Sequence, residues 1–255
     1  MVMVHPKHKK LIKRGLYIGA VIVVLFWVAF GVVWFWNTNY NKALANNAAV
    51  LTEVVSKVDN LEDISTIQPS QTSGRLPGVA SSYKAAAESA SADSLASFNI
   101  FSTGRHAGNR EVKTLNNEAI LALDDTIYRL QVATDGLLVT QKFIEYNPVV
   151  DLALYKSGEV PDASERLART QEGIKGVIKA IESSKLPYRK DILDIVKPLE
   201  AKSVQVTPQT VDTWANEVLE AQKKVLIVIR TDYEDRIGGV TQKLVEIAEK
   251  YLDRR

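Results

Sequence analysis

The chain has 255 residues, with 32 basic and 30 acidic side chains and no cysteine, a length for one domain or two small ones from which disulfides, thiolate metal sites and cysteine nucleophiles are excluded. Its formal net charge of +2 hides a partition: residues 1–36 carry five basic groups and no acid, and the remainder is mildly acidic. Such a body lacks the basic face that displaces counterions from phosphates, so nucleic acid is not an expected partner.

The first element is an uncharged run of 22 residues, Gly15–Trp36. As a helix it is about 33 Å long, enough to cross a hydrocarbon core of about 30 Å and longer than the apolar part of a signal peptide. Tyr17 near one end and Trp34 and Trp36 at the other match the aromatic belts of a spanning helix. Ala43-Leu44-Ala45 has the small-x-small form of a signal-peptidase site. It lies well beyond the run, however, and the helix is expected to be retained as a signal-anchor rather than removed after Ala45. Lys7, Lys9, Lys10, Lys13 and Arg14 precede the run, whereas only Lys42 and Glu53 are charged in the twenty residues after it. The excess of positive charge places residues 1–14 in the cytoplasm as a basic tail and residues 37–255 outside the cell membrane, with the lipid bilayer as first partner. Gly15 and Gly19 also form a GxxxG match within the run.

Residues 37–61 read as a juxtamembrane helix. Tyr40, Leu44, Asn47, Leu51, Val54, Val58 and Leu61 recur at alternating spacings of four and three, a heptad seam suited to coiled-coil association. Asn47 occupies a seam position where a buried amide can set register or partner number. The same seam also suits packing inside the chain's own body, with Asn47 at a wet end, and that reading is preferred.

Residues 62–78 contain Pro69, Gly74, Pro77 and Gly78 among Ser, Thr and Gln, the composition of a linker. The body proper, residues 79–255, then follows. Residues 79–97 hold seven Ala and six Ser; Tyr83, Ala87, Ala90 and Phe98 can line one side of a thin helix. A longer amphipathic helix is expected over 110–146, with Val112, Leu115, Ala119, Leu123, Ile127, Leu130, Leu137 and Ile144 on its apolar face. Asn147-Pro148 ends it, because a residue before proline resists helical geometry. After a connector over 147–161, Asp162 and Glu165 form a capping box for a helix to about residue 184. A shorter helix follows Pro187. The last helix, 208–253, is expected to start on Thr207 as cap with Pro208 in the first position, and to bend at Gly238-Gly239. No long segment alternates with period two. The expected fold class is all-α: a single transmembrane helix followed by an extracytoplasmic antiparallel bundle of four or five helices, with 110–146 and 208–253 as its spine.

The anchor preceding "YNKAL" and the segment "RTDYEDRI" near the end resemble membrane-anchored bundle proteins of the LemA type. The order of elements resembles extracytoplasmic helical bundles such as bacterial sensor domains. Matches of this length carry no function across.

Chemistry-bearing motifs are sparse. His106 is the sole histidine beyond the anchor, so no multi-histidine metal site can form within one chain, and no nucleophile elbow accompanies it. Arg105, His106 and Arg110, flanking two glycines before the long helix, form a candidate anion-binding loop. Asp124-Asp125 diverge on their helix, and phosphate-binding glycine loops are absent. Glu145 and Asp151 bracket the Asn-Pro break and could meet across it as a carboxylate pair, but are expected to be solvated charges. Trp214, the one tryptophan outside the anchor, is expected to plug one end of the core. No enzyme and no cofactor is expected. The reading that follows is a structural or protein-interaction role at the cell envelope, with an envelope protein or a second copy as partner. The alternative is a small-ligand sensor signalling through a partner.

Overall fold

The computed structural model describes residues 6–63, 75–97, 109–145, 163–207, 210–237 and 239–254. Every element in them is an α-helix: α1 (Pro6–Asp59), α2 (Leu76–Ser97), α3 (Arg110–Glu145), α4 (Ala163–Ser183), α5 (Arg189–Ser203), α6 (Val211–Ile237) and α7 (Val240–Asp253). Phe98, Arg105, His106, the connector over 147–161, Asp162, Pro208 and Gly238 lie outside the described residues.

The apolar run and the juxtamembrane heptads are one unbroken helix of 54 residues, roughly 81 Å long. Pro6 stands at its first position, where a missing N–H costs no helical bond. Its window of highest hydropathy is long and apolar enough to cross a membrane, and none of that window is covered by protein. Side chains from Tyr17 to Phe35 are exposed, whereas Leu44, Asn47, Ala48, Leu51, Val54 and Val58 are buried. A single helix thus changes its surroundings completely within two to three turns.

Two hydrophobic cores follow. The first is built from the outer part of α1 with α2, one face of α3 from Val112 to Leu137, and α7. Here α2 touches α1 and α3, and α7 touches α3 and α1, so the four helices close a ring. The second core comprises the later part of α3 with α4, α5 and α6, again each touching two neighbours in a ring. Helix α3, about 54 Å long, belongs to both. The last stretch of chain also serves both, but through two separate helices.

Directions follow from cross-links between helices. Lys57 donates to Ser89 Oγ, and Tyr83 reaches the carbonyl of Glu62, so α2 runs antiparallel to α1. Glu111 pairs with Arg254, Asn116 with Tyr251 and Glu118 with Lys250, so α7 runs antiparallel to α3. Asn47, early in the buried part of α1, lies beside Tyr251, so the end of the body holding the start of α3 and the end of α7 is the end nearer the apolar part of α1.

Three boundaries differ from expectation. The linker ends early, because α2 begins at Leu76, a buried core residue; Pro77 falls in the first turn, where proline is tolerated. The last helix does not start on Thr207 and Pro208. Helix α6 begins at Val211, after a turn in which the Thr210 hydroxyl accepts from the Thr207 N–H at 2.9 Å. Gly239, at φ +115, then splits the expected continuous helix into α6 and α7, a conformation that costs glycine little and other residues much. Among the described residues the body has six helices where four or five were expected, and this split accounts for one of them.

Candidate functional surfaces

The anchor candidates are all exposed or half-exposed. Tyr17 and Trp34 are 79% and 63% accessible, and Trp36 is half-buried at the start of the transition into the body. Among the described residues this is the largest exposed apolar surface, and an isolated helix bearing it has no stable place in water.

The heptad seam is not open surface. Leu44, Asn47, Leu51, Val54 and Val58 are buried in the first core, and Tyr40 and Leu61 pack against it half-buried. Asn47 is not at a wet end: it is 1% accessible. It lies beside a second amide and a phenol. Tyr251 O–H donates to Asn116 Oδ1 at 2.6 Å, with both residues buried. Burial pushes the Tyr251 phenol up from its ordinary value near 10, and the adjacent Asn47 amide opposes this by stabilising the phenolate. Asn47 Nδ2 is thus near the Tyr251 oxygen but outside hydrogen-bond geometry, a costly state for a buried donor.

A second polar group closes the other end of the first core. Tyr83, fully buried, donates to the Glu62 carbonyl at 2.6 Å, which leaves its oxygen to accept from Tyr233 O–H, also at 2.6 Å. The two rings meet edge to face with centroids 6.2 Å apart. Burial, then the Tyr233 contact and the nearby carboxylates of Asp63 and Glu62, push the Tyr83 phenol far up. Next to it, Asn60, Leu61, Glu62, Arg75, Gly78, Val79 and Ser82 line a shallow cleft of about 440 Å³. The two charges there, Glu62 and Arg75, are paired with each other.

Of the candidate anion loop, Arg105 and His106 lie outside the described residues. Arg110 is exposed at the first position of α3. The donors expected to face an anion are already engaged: Asn109 Oδ1 accepts from the N–H groups of Glu111 and Val112 at 3.1 and 3.4 Å. Asn109 is thus an N-cap, legible in the sequence as an Asn just before the amphipathic pattern begins but not singled out there. Glu111, beside it, pairs with Arg254.

In the second core Trp214 is buried as expected, and its indole N–H donates to the Leu199 carbonyl at 3.2 Å. Gly136 lets α3 and α6 approach: a Cβ there would lie 3.0 Å from Ile229 Cγ2 and 3.7 Å from the Tyr188 hydroxyl. Among the described residues no three His, Asp or Glu side chains gather as a metal site.

No known protein-family model, curated protein or solved structure matches this chain.

Proposed function

We propose that the protein is a single-pass membrane anchor carrying an antiparallel helical bundle outside the cell membrane, with a structural or protein-interaction role at the envelope. The observation that carries this reading is α1 itself. One helix has residues 17–35 bare of protein and one face of residues 44–58 buried in the body, so the body stands on the bilayer as a rigid post. The basic tail before the apolar run supports a cytoplasmic N-terminus. Retention of the anchor is supported by the helical state of Ala43-Leu44-Ala45 and the complete burial of Leu44, since proteolysis favours exposed, irregular segments. The sensor alternative has less support: the cleft at Glu62 is open, and its charges neutralise each other.

The absence of native cysteine makes the test clean. Val204→Cys, at an exposed turn, should react with a membrane-impermeant maleimide on intact cells. Labelling only after lysis would overturn the topology. Photo-crosslinkers at the exposed apolar residues Leu121 and Ile227 should then give a discrete adduct in living cells, and a complete lack of adducts at both would count against the interaction role.

A further inference from the structure

We infer that α7 is a strap covering a self-association seam, and that the occupant it excludes is the seam of a second copy of this chain. The seam residues of α1 are spaced strictly four and three apart, the repeat of a left-handed two-stranded coil. In the structure they pack most extensively against α7, with α2 on the other flank. Helix α7 is the shortest of the seven and follows a glycine at positive φ. Of all the packed pairs, it touches its chain neighbour α6 least. Among the described residues its hold on the body includes one apolar face (Leu244, Ile247, Ala248, Tyr251), the buried Tyr251–Asn116 hydrogen bond and two exposed ion pairs, Lys250–Glu118 and Arg254–Glu111. A helix attached in this way can leave without unwinding its neighbours.

Asn47 indicates what replaces it. Under α7, its Nδ2 is the one buried side-chain polar atom among the described residues with no hydrogen bond. In a parallel pair of α1 helices, Asn47 faces Asn47 of the second copy, and two amides in that position satisfy each other while setting register. The parallel, in-register arrangement needs no further device. This rests on the single-pass reading proposed above, under which both copies of α1 cross the same membrane in the same direction, whichever side the body occupies. The closed chain therefore leaves unsatisfied the one group that the open pair completes.

The test uses full-length chain in lipid vesicles, with Asn47 kept and single cysteines at two seam positions, Tyr40→Cys or Val54→Cys, and at the exposed off-seam position Ala49→Cys. Each is combined with Lys250→Glu and Arg254→Glu, which set acids against Glu118 and Glu111 and touch only exposed groups. Oxidative cross-linking should be low at all three positions in the parent background and rise several-fold at the seam positions alone in the charge-reversed one. Equal yields at seam and off-seam positions after charge reversal would overturn the strap. A second variant, Leu244→Ala with Ile247→Ala, loosens the apolar face instead; in a chain with Trp27, Trp34 and Trp36 replaced by Phe, emission from Trp214, in the other core, reports whether the body stays folded. Seam-specific cross-linking with Trp214 still buried supports the inference. A folded chain with no seam cross-links in either background overturns it.

Discussion

The hydroxyl of Tyr83 lies 2.6 Å from that of Tyr233, 150 residues further along the chain. Tyr83 belongs to α2 in the first core, and Tyr233 sits near the end of α6, the helix whose earlier part builds the second. The contact therefore ties the two layers together at their junction. Tyr83→Phe keeps the ring but removes the donor to the Glu62 carbonyl and the oxygen that the Tyr233 hydroxyl meets. It should lower stability by about 1–2 kcal/mol, the cost of an unmade hydrogen bond at a largely buried site. Thermal unfolding in detergent micelles, followed by helical circular dichroism, measures it.

Alkaline pH should unfold the body through its buried phenols. Tyr83 and Tyr251 both have folded-state values raised above the ordinary 10.0. Below about pH 10 both states keep these protons and the phenols' contribution to stability is fully present; above it the unfolded chain releases them while the folded chain does not. Stability is thus lost as pH rises from 10 toward the raised folded values. A Tyr83→Phe, Tyr251→Phe chain should start less stable and lose less between neutral pH and pH 12. Parallel pH titrations of the unfolding midpoint check this, and equal slopes would rule it out.

Gly136 sets the spacing of α3 and α6. Gly136→Val places branched atoms where a Cβ alone already lies 3.0 Å from Ile229 Cγ2. Overpacking of this kind costs about 1–3 kcal/mol, which exceeds the gain from removing a helical glycine, about 0.5 kcal/mol for valine. The net change should be destabilising, and Ile229→Ala in the same chain should recover part of the loss by freeing the space.

At Gly239 the obstacle is the backbone. Nothing lies within 4 Å of a Cβ built there, yet φ is +115. Gly239→Ala should cost about 1–2 kcal/mol from the left-handed conformation alone. Hydrogen exchange should show the loss concentrated in α7, with α4 and α5 unchanged.

Two positions on the same helix should respond in opposite ways. Leu51 is fully buried, and Leu51→Ala should cost about 2–5 kcal/mol by cavity formation. Trp34, 63% accessible, supports no protein core. Trp34→Ala should leave body stability unchanged in micelles while weakening retention in carbonate-washed membranes.

Much of the secondary structure was legible because its causes are local. The length and bareness of the apolar run, the proline and glycine punctuation, and the 3.6-residue recurrence of apolar side chains in what became α3 all lie within a few turns of the residues concerned. The boundary at Leu76 was missed because Pro77 and Gly78 read as linker composition. A proline in a first turn has the same sequence signature as one in a loop. The start of α6 was misplaced for a related reason: Thr207-Pro208 and Thr210 offer competing capping hydroxyls, and only the fold selects between them.

The candidate surfaces were legible in kind and not in partnership. The seam was visible as a seam, and the burial of Trp214 followed from its place on an apolar stripe. The N-cap Asn109 had a readable signal and was overlooked. Asn47 beside Tyr251 and Asn116, and Tyr83 beside Tyr233, had none, since the partners lie from 69 to 204 residues apart.

By itself the sequence determined that this chain is helical, that its N-terminal helix is long and apolar enough to span a membrane, and that each later helix must bury one face. Those properties depend on neighbours within a turn or two. Which face meets which was decided only in three dimensions: that α3 serves two cores, that α7 rather than a second chain covers the seam, and that one amide is left unsatisfied beneath it. An apolar stripe states how much surface must leave water. It carries no address, because the hydrophobic effect has no direction, and the address is written by packing among helices distant in the chain.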